Sequence, residues 1–209
     1  MSPVRLNGST SGYSELTAPA VAGNNSIGLP TGNGTAYQVV RNGASAGSLE
    51  FADKIVSGTA VASTSGTAID FTGIPSWVKR VTVMFNGVST NGTSLPQVQI
   101  GSGSVSTTGY ATTSSITVNV GTSGVIAATT GFQLTNAGSA SYVFSGTLVL
   151  TLISSNTWVG LGANTVSSSV FNTVAGVSPA LGGTLDRVRI TTVSGTDTFD
   201  SGSINILYE

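Results

Sequence analysis

Apolar and polar residues alternate with a period of two over much of the second part of the chain. Ile116 and Val118 share one face of an extended segment, and Thr117 lies on the other. Val188 and Ile190 alternate with arginines in the same way. No window has a sustained helical period. The pattern therefore predicts strands throughout this part of the chain, with turns between them.

Turn signals divide this part into about ten predicted strands, a spacing typical of an antiparallel β-sandwich. The predicted strands cover residues 68–71, 78–88, 97–100, 115–120, 131–134, 142–153, 157–161, 166–170, 184–193 and 201–208. In the strand over 142–153, large apolar side chains fall on both faces. Such a strand belongs either at the centre of the sandwich or at an interface with a neighbouring chain. We expect a jelly-roll-like sandwich over residues 55–209.

Residues 1–54 have a different pattern, in which short extended pieces are separated by turn signals such as Asn33-Gly34 and Asn42-Gly43. Large apolar side chains are few in this segment. Their burial cannot offset the backbone entropy lost on ordering the chain, so the segment should not fold alone. We predict a small N-terminal β module over residues 1–54 that closes its core with partner chains.

Composition favours sheets over disorder. Charged residues make up 7% of the chain, against roughly 25% in an average soluble domain. Hydrophobic residues make up 39% and the mean hydropathy is +0.30, whereas disordered chains combine low hydrophobicity with high charge. The 28 glycines and the abundant Ser, Thr and Asn suit a fold with many turns.

The charge pattern and the missing residue types exclude several function classes. The chain has 7 Lys and Arg and a net charge of -1, without a basic stripe, which disfavours nucleic-acid binding. No apolar run reaches the ~18 residues of a membrane span, and residues 1–5 lack the regions of a signal peptide. These features are expected of a protein that is made in bacterial cytoplasm and released by cell lysis, and equally of a plain cytoplasmic protein.

The chain contains no His and no Cys, which removes the usual catalytic dyads and triads and the common zinc sites. The 8 carboxylates form no recognisable acid–base motif. Asp197 and Asp200 flank a turn, where capping of the turn is favoured over calcium binding. Asp186 is expected to form an ion pair with Arg187 or Arg189, at the surface or between subunits. No cofactor and no metal are expected.

Aromatic residues are the candidate contact sites. Tyr110 and Phe132 lie in Thr- and Gly-rich segments and are predicted at loop tips, where binding residues concentrate. Trp158 follows a turn and is either a sugar-stacking residue or a half-buried strand residue. Trp77 is predicted to plug the core at the entrance of a strand, with receptor contact as the alternative.

Two sets of motifs resemble phage proteins. Residues 18–30 (APAVAGNNSIGLP), 31–40 (TGNGTAYQVV) and 43–51 (GASAGSLEF) resemble a module of tail-fibre and virion-fibre proteins of cyanophages and other aquatic phages. Residues 65–85 (SGTAIDFTGIPSWVKRVTVMF) and 199–209 (FDSGSINILYE) resemble the paired ends of a C-terminal domain in cyanophage fibre-like proteins. Arg41 departs from the first module, because many relatives carry a Lys-Thr-Asp-Gly turn there.

The resemblance implies a structural virion protein with an intertwined, trimeric N-terminal module. The chain would be a homotrimeric short fibre or a head or tail surface decoration, with other virion proteins as partners. Its C-terminal sandwich would face outward, with a host cell-surface glycan as a candidate ligand. The alternative is a capsid cement protein that clamps neighbouring capsomers without a receptor role. A carbohydrate-active enzyme on the same scaffold is the third class, disfavoured by the missing catalytic residues.

Overall fold

The structure is a computed structural model that describes residues 4–7, 11, 13–16, 26–35, 38–43, 45–52, 54–118, 124–167 and 170–209. The chain divides into two compact units, Met1–Lys54 (unit 1) and Ile55–Glu209 (unit 2). The division falls where the composition of the sequence changes. Every regular element within the described residues is a β-strand, which confirms the all-β class.

The described residues of unit 1 form two antiparallel hairpins. Their strands, paired in order, are β1 (Val4–Asn7), β2 (Tyr13–Leu16), β3 (Val39–Asn42) and β4 (Leu49–Ala52). Across the second hairpin, Nε of Arg41 lies 2.9 Å from Oε1 of Glu50. The amide of Gly43 closes the turn by donating to the carbonyl of Ser48 at 2.9 Å. Ala44, in the predicted turn, lies outside the described residues.

The strands of unit 2 follow the alternating part of the sequence. They are β5 (Val56–Ser57), β6 (Val61–Ala62), β7 (Ala68–Thr72), β8 (Arg80–Thr90), β9 (Pro96–Ser102), β10 (Ser104–Val105), β11 (Ala111–Val118), β12 (Gly124–Ala128), β13 (Phe132–Gln133), β14 (Phe144–Ser154), β15 (Thr157–Val166), β16 (Val170–Val177), β17 (Arg187–Thr192) and β18 (Phe199–Tyr208).

These strands form two antiparallel sheets. The large sheet has the order β12–β11–β16–β15–β14–β8–β18–β5, and β6 also pairs with β18. The small sheet has the order β10–β9–β17–β7, and β13 also pairs with β9. The run β14–β15–β16 is a meander in which each strand pairs with the next along the chain.

One apolar core lies between the two sheets. The large sheet contributes residues such as Val81, Leu148 and Ile204, and the small sheet contributes residues such as Val98 and Ile190. Buried residues alternate with outward-facing ones, because successive side chains of a strand point to opposite faces. This arrangement confirms the predicted antiparallel β-sandwich. The jelly-roll connectivity and the trimer stay predictions.

The strand predicted over 142–153 is β14, which lies inside the large sheet between β8 and β15. Its Leu148 and Leu150 are fully buried in the core. On the same strand, Ile153 is 65% exposed and Thr151 is exposed. The strand is therefore central, but the described residues of unit 2 cover only one of its faces.

The strand predicted over 166–170 is wrong. β15 ends at Val166 and β16 begins at Val170, and Ser167 between them has a left-handed φ of 53°. Residues 168–169 lie outside the described residues, as do 119–120 at the end of the predicted strand 115–120. The sequence pattern did not predict the strands β12 and β16, because Gly, Ala and Asn interrupt their β-branched residues.

Candidate interaction surface

Two of the aromatic residues predicted to make contacts lie in the core. Tyr110 is 2% exposed and Phe132 is fully buried, so neither can touch a partner of unit 2. Their rings pack edge to face, with centroids 5.5 Å apart and an interplanar angle of 80°. The prediction that they lie on loop tips is wrong, because the gain from burying a large ring outweighs the polar character of its neighbours.

The two tryptophans also lie in environments that differ from the predicted ones. Trp158 is 1% exposed on the inner face of β15, so it is neither a sugar-stacking nor a half-buried residue. Gly160 on the same strand leaves room for a core ring, since a Cβ there would lie 2.5 Å from Cε1 of Phe132. Trp77, predicted to plug the core, is 40% exposed and lies beside Tyr208, with ring centroids 5.9 Å apart.

The hydroxyl of Tyr110 has a structural role in the core. It accepts a hydrogen bond from the amide of Ile100 at 2.8 Å and lies 3.1 Å from the carbonyl oxygen of Ser106. Burial raises the pKa of Tyr110 to about 12, and the hydrogen bond from Ile100 opposes that rise. The residue stays protonated at neutral pH and ties β9 to the segment before β11.

The two aspartates near the β17–β18 turn hold loops together. Oδ2 of Asp197 accepts a hydrogen bond from the amide of Ser94 at 2.7 Å. Oδ1 of Asp200 accepts a hydrogen bond from Oγ of Ser89. Both carboxylates thus bond to a distant loop or strand rather than cap their own turn. The described part of the chain contains no cluster of three or more carboxylates that could hold a metal ion.

The outer face of the small sheet carries ion pairs. Nε and Nη2 of Arg189 lie 2.7 and 2.8 Å from the two carboxylate oxygens of Asp70, a bidentate contact between β17 and β7. Asp186 pairs instead with its neighbour Arg187, with Nε 2.7 Å from Oδ1. The Arg187 side chain holds the pKa of Asp186 below its usual range. Both pairs form within one chain.

The outer face of the large sheet has a contrasting character. The sequence contains no Lys, Arg, His, Asp or Glu between Arg80 and Asp186. That stretch supplies β11, β12, β14, β15 and β16 in full. The outward-facing side of these five strands is named here the charge-free face. Two of its rows of cross-strand neighbours are Ala127–Thr113–Ala175–Leu161–Val149 and Val125–Ser115–Thr173–Ala163–Thr147.

Large apolar side chains stand exposed on this face. Val125 is 71% exposed, Leu161 66%, Phe171 47% and Val159 38%. Single exposed apolar residues are ordinary, but several on one sheet face without any charge between them mark an interaction surface. Small hydroxyl and methyl side chains fill the rest of the face, so a second surface can approach it closely.

The edge of the large sheet at β12 is unprotected. In the described residues β12 pairs with β11 alone, and its Val125 and Ile126 are both exposed. Natural edge strands usually carry Lys, Pro or a bulge that blocks further pairing, and β12 carries neither Lys nor Pro. The open edge adjoins the charge-free face, so one partner could engage both.

Comparisons with protein-family models, with curated proteins and with solved structures found no match to the chain. No helix in the described residues is long and apolar enough to cross a bilayer. The candidate functional surface therefore rests on the geometry of unit 2 and on the sequence motifs.

Proposed function

We propose that the chain is a structural, non-enzymatic component of a phage particle, made in the host bacterial cytoplasm. It forms a homotrimeric short fibre or a surface decoration of the head or tail. Unit 1 joins three copies and attaches them to other virion proteins, and unit 2 carries the outward-facing binding domain. The motif resemblance and the all-β build support this proposal.

The observation that carries the proposal is the exposure of apolar side chains in the described part of unit 1. Ile27 is 70% exposed, Leu29 is 78% exposed and Val40 is 52% exposed. Ala52 is the one buried apolar residue of unit 1 among those whose burial is described. The backbone at Gly28 is nevertheless held against the second hairpin by hydrogen bonds of 2.8 Å to residues 47 and 49. A segment that leaves three large aliphatic side chains in water gains stability when a partner covers them.

The charge-free face of unit 2 favours a second copy of the same chain as its occupant. In a trimer this face lies against a different surface of the neighbouring copy, and a face without charge leaves no buried charge of its own unpaired there. Neighbouring sandwiches in a trimer could pack through this face around Leu161 and Phe171. Self-association through a sheet face also suits a particle component that occurs in many copies.

The oligomeric state tests the proposal first. The purified full chain at micromolar concentration should have a native mass three times the 20.8 kDa chain mass. Obligate assembly also predicts that the melting temperature rises with protein concentration. A folded, heat-stable monomer would overturn the proposal.

A map of the assembled particle separates the fibre from the alternative, a capsid cement protein. A short fibre or spike gives density that protrudes from a symmetry axis, whereas a cement protein gives a flat footprint across neighbouring capsomers. The proposal that the protein is not an enzyme has a separate test. Purified protein should release no reducing ends from host polysaccharide. Release that is lost on replacing one carboxylate would contradict it.

A further inference from the structure

We propose that a polar cleft on the outer face of the small sheet binds an uncharged saccharide. The inference rests on the proposed outward-facing role of unit 2, and it assigns that role a site and a ligand class. The cleft has a volume of about 300 Å³, at the lower end of the ~300–1,000 Å³ range of small-molecule sites. It lies on the side of the sandwich opposite the charge-free face.

Pairing of β17 with β9 brings together the residues that form the floor of the cleft. Arg189 of β17 lies opposite Gln99 of β9, and Thr191 lies opposite Gln97. These four side chains share the outer face, because Val98, Ile100 and Ile190 between them point into the core. Thr107 and the turn after β17 complete the rim.

The two glutamines are unusual because they are buried outside the apolar core. Gln97 is 2% exposed and Gln99 is 5% exposed, and both line the cleft. Buried amides normally satisfy their hydrogen-bonding groups within the protein. A side-chain amide that lines a cleft and keeps a donor or acceptor without a partner can bind a ligand, because that donor or acceptor is already held in a fixed orientation.

Each of the two amides keeps a hydrogen-bonding group that a ligand can use. Nε2 of Gln99 donates to the carbonyl of Thr130 at 2.8 Å, but Oε1 accepts no hydrogen bond from the described residues and is not sealed from solvent. Oε1 of Gln97 accepts from Oγ1 of Thr130 at 2.8 Å, whereas its Nε2 lies 3.5 Å from the carbonyl of Thr192. The amide nitrogen carries two N–H donors, so the second one remains for a ligand. A ligand can therefore offer Gln99 a donor and Gln97 an acceptor.

Arg189 adds donors without adding net charge. It is the one charged residue among the described residues that line the cleft. Two of its five N–H groups point to Asp70 in the bidentate pair, so the others remain for a ligand. Since Asp70 neutralises the guanidinium, the cleft has no excess positive charge to favour a phosphate or an acidic sugar.

The mixture of donors and acceptors selects the ligand class. Each hydroxyl of a saccharide both donates and accepts, which matches an amide oxygen, an amide nitrogen, a guanidinium edge and the threonine hydroxyls. No aromatic residue occurs among the described lining residues, so stacking on a sugar ring does not contribute. Binding by one chain should therefore be weak, and three linked copies would raise the avidity.

The test uses the full-length protein and two matched pairs of variants. The wild type is screened on an array of neutral and sialylated oligosaccharides, and the best neutral saccharide is titrated in solution by saturation-transfer NMR. Arg189→Ala is compared with Arg187→Ala, its neighbour on the same face of β17 that does not line the cleft. Gln99→Leu is compared with Gln133→Leu, a buried glutamine of the small sheet outside the cleft. Melting temperatures are measured for all four variants.

We expect the wild type to bind at least one neutral saccharide. Arg189→Ala and Gln99→Leu should each weaken binding roughly tenfold, while Arg187→Ala and Gln133→Leu leave it unchanged. If Gln99→Leu fails to fold, the partly exposed pair Arg189→Ala and Arg187→Ala decides. Binding only to sialylated probes, no binding to any neutral probe, or equal binding by Arg189→Ala and Arg187→Ala would overturn the proposal. A trimer that binds no saccharide would leave the structural role standing and remove only the cleft.

Discussion

The two outer faces of the sandwich are built from similar strands but carry different chemistry. The small sheet presents two ion pairs and a polar cleft, whereas five strands of the large sheet carry no charge. Charges keep a sheet face hydrated and discourage stacking of copies, and their absence removes that protection. The contrast supports the proposal that the small-sheet face remains in water and that the charge-free face is covered in an assembly.

The largest effect should come from the core that both sheets share. Phe132→Ala should lower the free energy of unfolding by about 3–5 kcal/mol, because it removes a fully buried ring and leaves a cavity. Trp77→Ala is the control, since Trp77 is 40% exposed, and its loss should be clearly smaller. Denaturant unfolding followed by far-UV circular dichroism measures both. Equal losses would mean that burial does not separate these two aromatic residues.

The next prediction compares the two faces of the large sheet directly. Leu150→Ala should cost roughly 2–5 kcal/mol, because Leu150 is fully buried in β14. Leu161→Ala on neighbouring β15 should change subunit stability by about 0.5 kcal/mol or less, since Leu161 is 66% exposed. Its effect should appear in assembly instead. If both variants lower the melting temperature equally at every protein concentration, Leu161 acts within the fold of the subunit and the outer face is not an assembly surface.

Tyr110 gives a smaller, pH-dependent effect within the core. Its folded-state pKa of about 12 lies above the ordinary value of 10.0. The folded state therefore holds the proton more tightly, and this stabilisation is complete below about pH 10 and is lost as pH rises toward 12. The loss amounts to about 2–3 kcal/mol at pH 12. Stability curves of the wild type and Tyr110→Phe should converge over that interval, and parallel curves would contradict the assignment.

The surface ion pair of the small sheet should have the smallest effect. Asp70→Asn should cost about 0.2–1 kcal/mol at low salt, because both partners are more than one-third exposed. The difference from the wild type should shrink in 1 M NaCl, where the Debye length is about 3 Å. A larger loss that salt does not reduce would show that Asp70 is structurally buried in the assembly.

Sequence patterning predicted the sandwich because burial on one face of a sheet forces alternation, as at Val188 and Ile190. It failed at β16, where Asn172 and Gly176 replace apolar residues. Asn172 lies fully buried within a polar contact set with Asn164 and Thr135, which only the fold brings together. The local sequence pattern cannot show that a buried polar side chain will find hydrogen-bond partners far away in the sequence.

The binding surfaces were less accessible to sequence reasoning than the fold. Tyr110 and Phe132 were chosen because aromatic residues in polar segments often make contacts, but their burial depends on strands distant in sequence. The cleft needs Gln99 and Arg189 on adjacent strands, and their pairing joins residues far apart along the chain. The absence of charge between Arg80 and Asp186 was visible in the sequence. Its placement on one face required the register of the strands.

In the proposed trimer, the charge-free face of unit 2 joins copies of the chain in addition to the contact made by unit 1. Sedimentation equilibrium of the wild type, Leu161→Lys and Thr72→Lys tests it most directly, since Thr72→Lys places the same charge at an exposed position of the small sheet. We predict that the wild type and Thr72→Lys associate equally as trimers, and that Leu161→Lys dissociates at a clearly higher protein concentration. A monomeric wild type, or a Leu161→Lys variant that assembles as tightly as Thr72→Lys, would contradict the account.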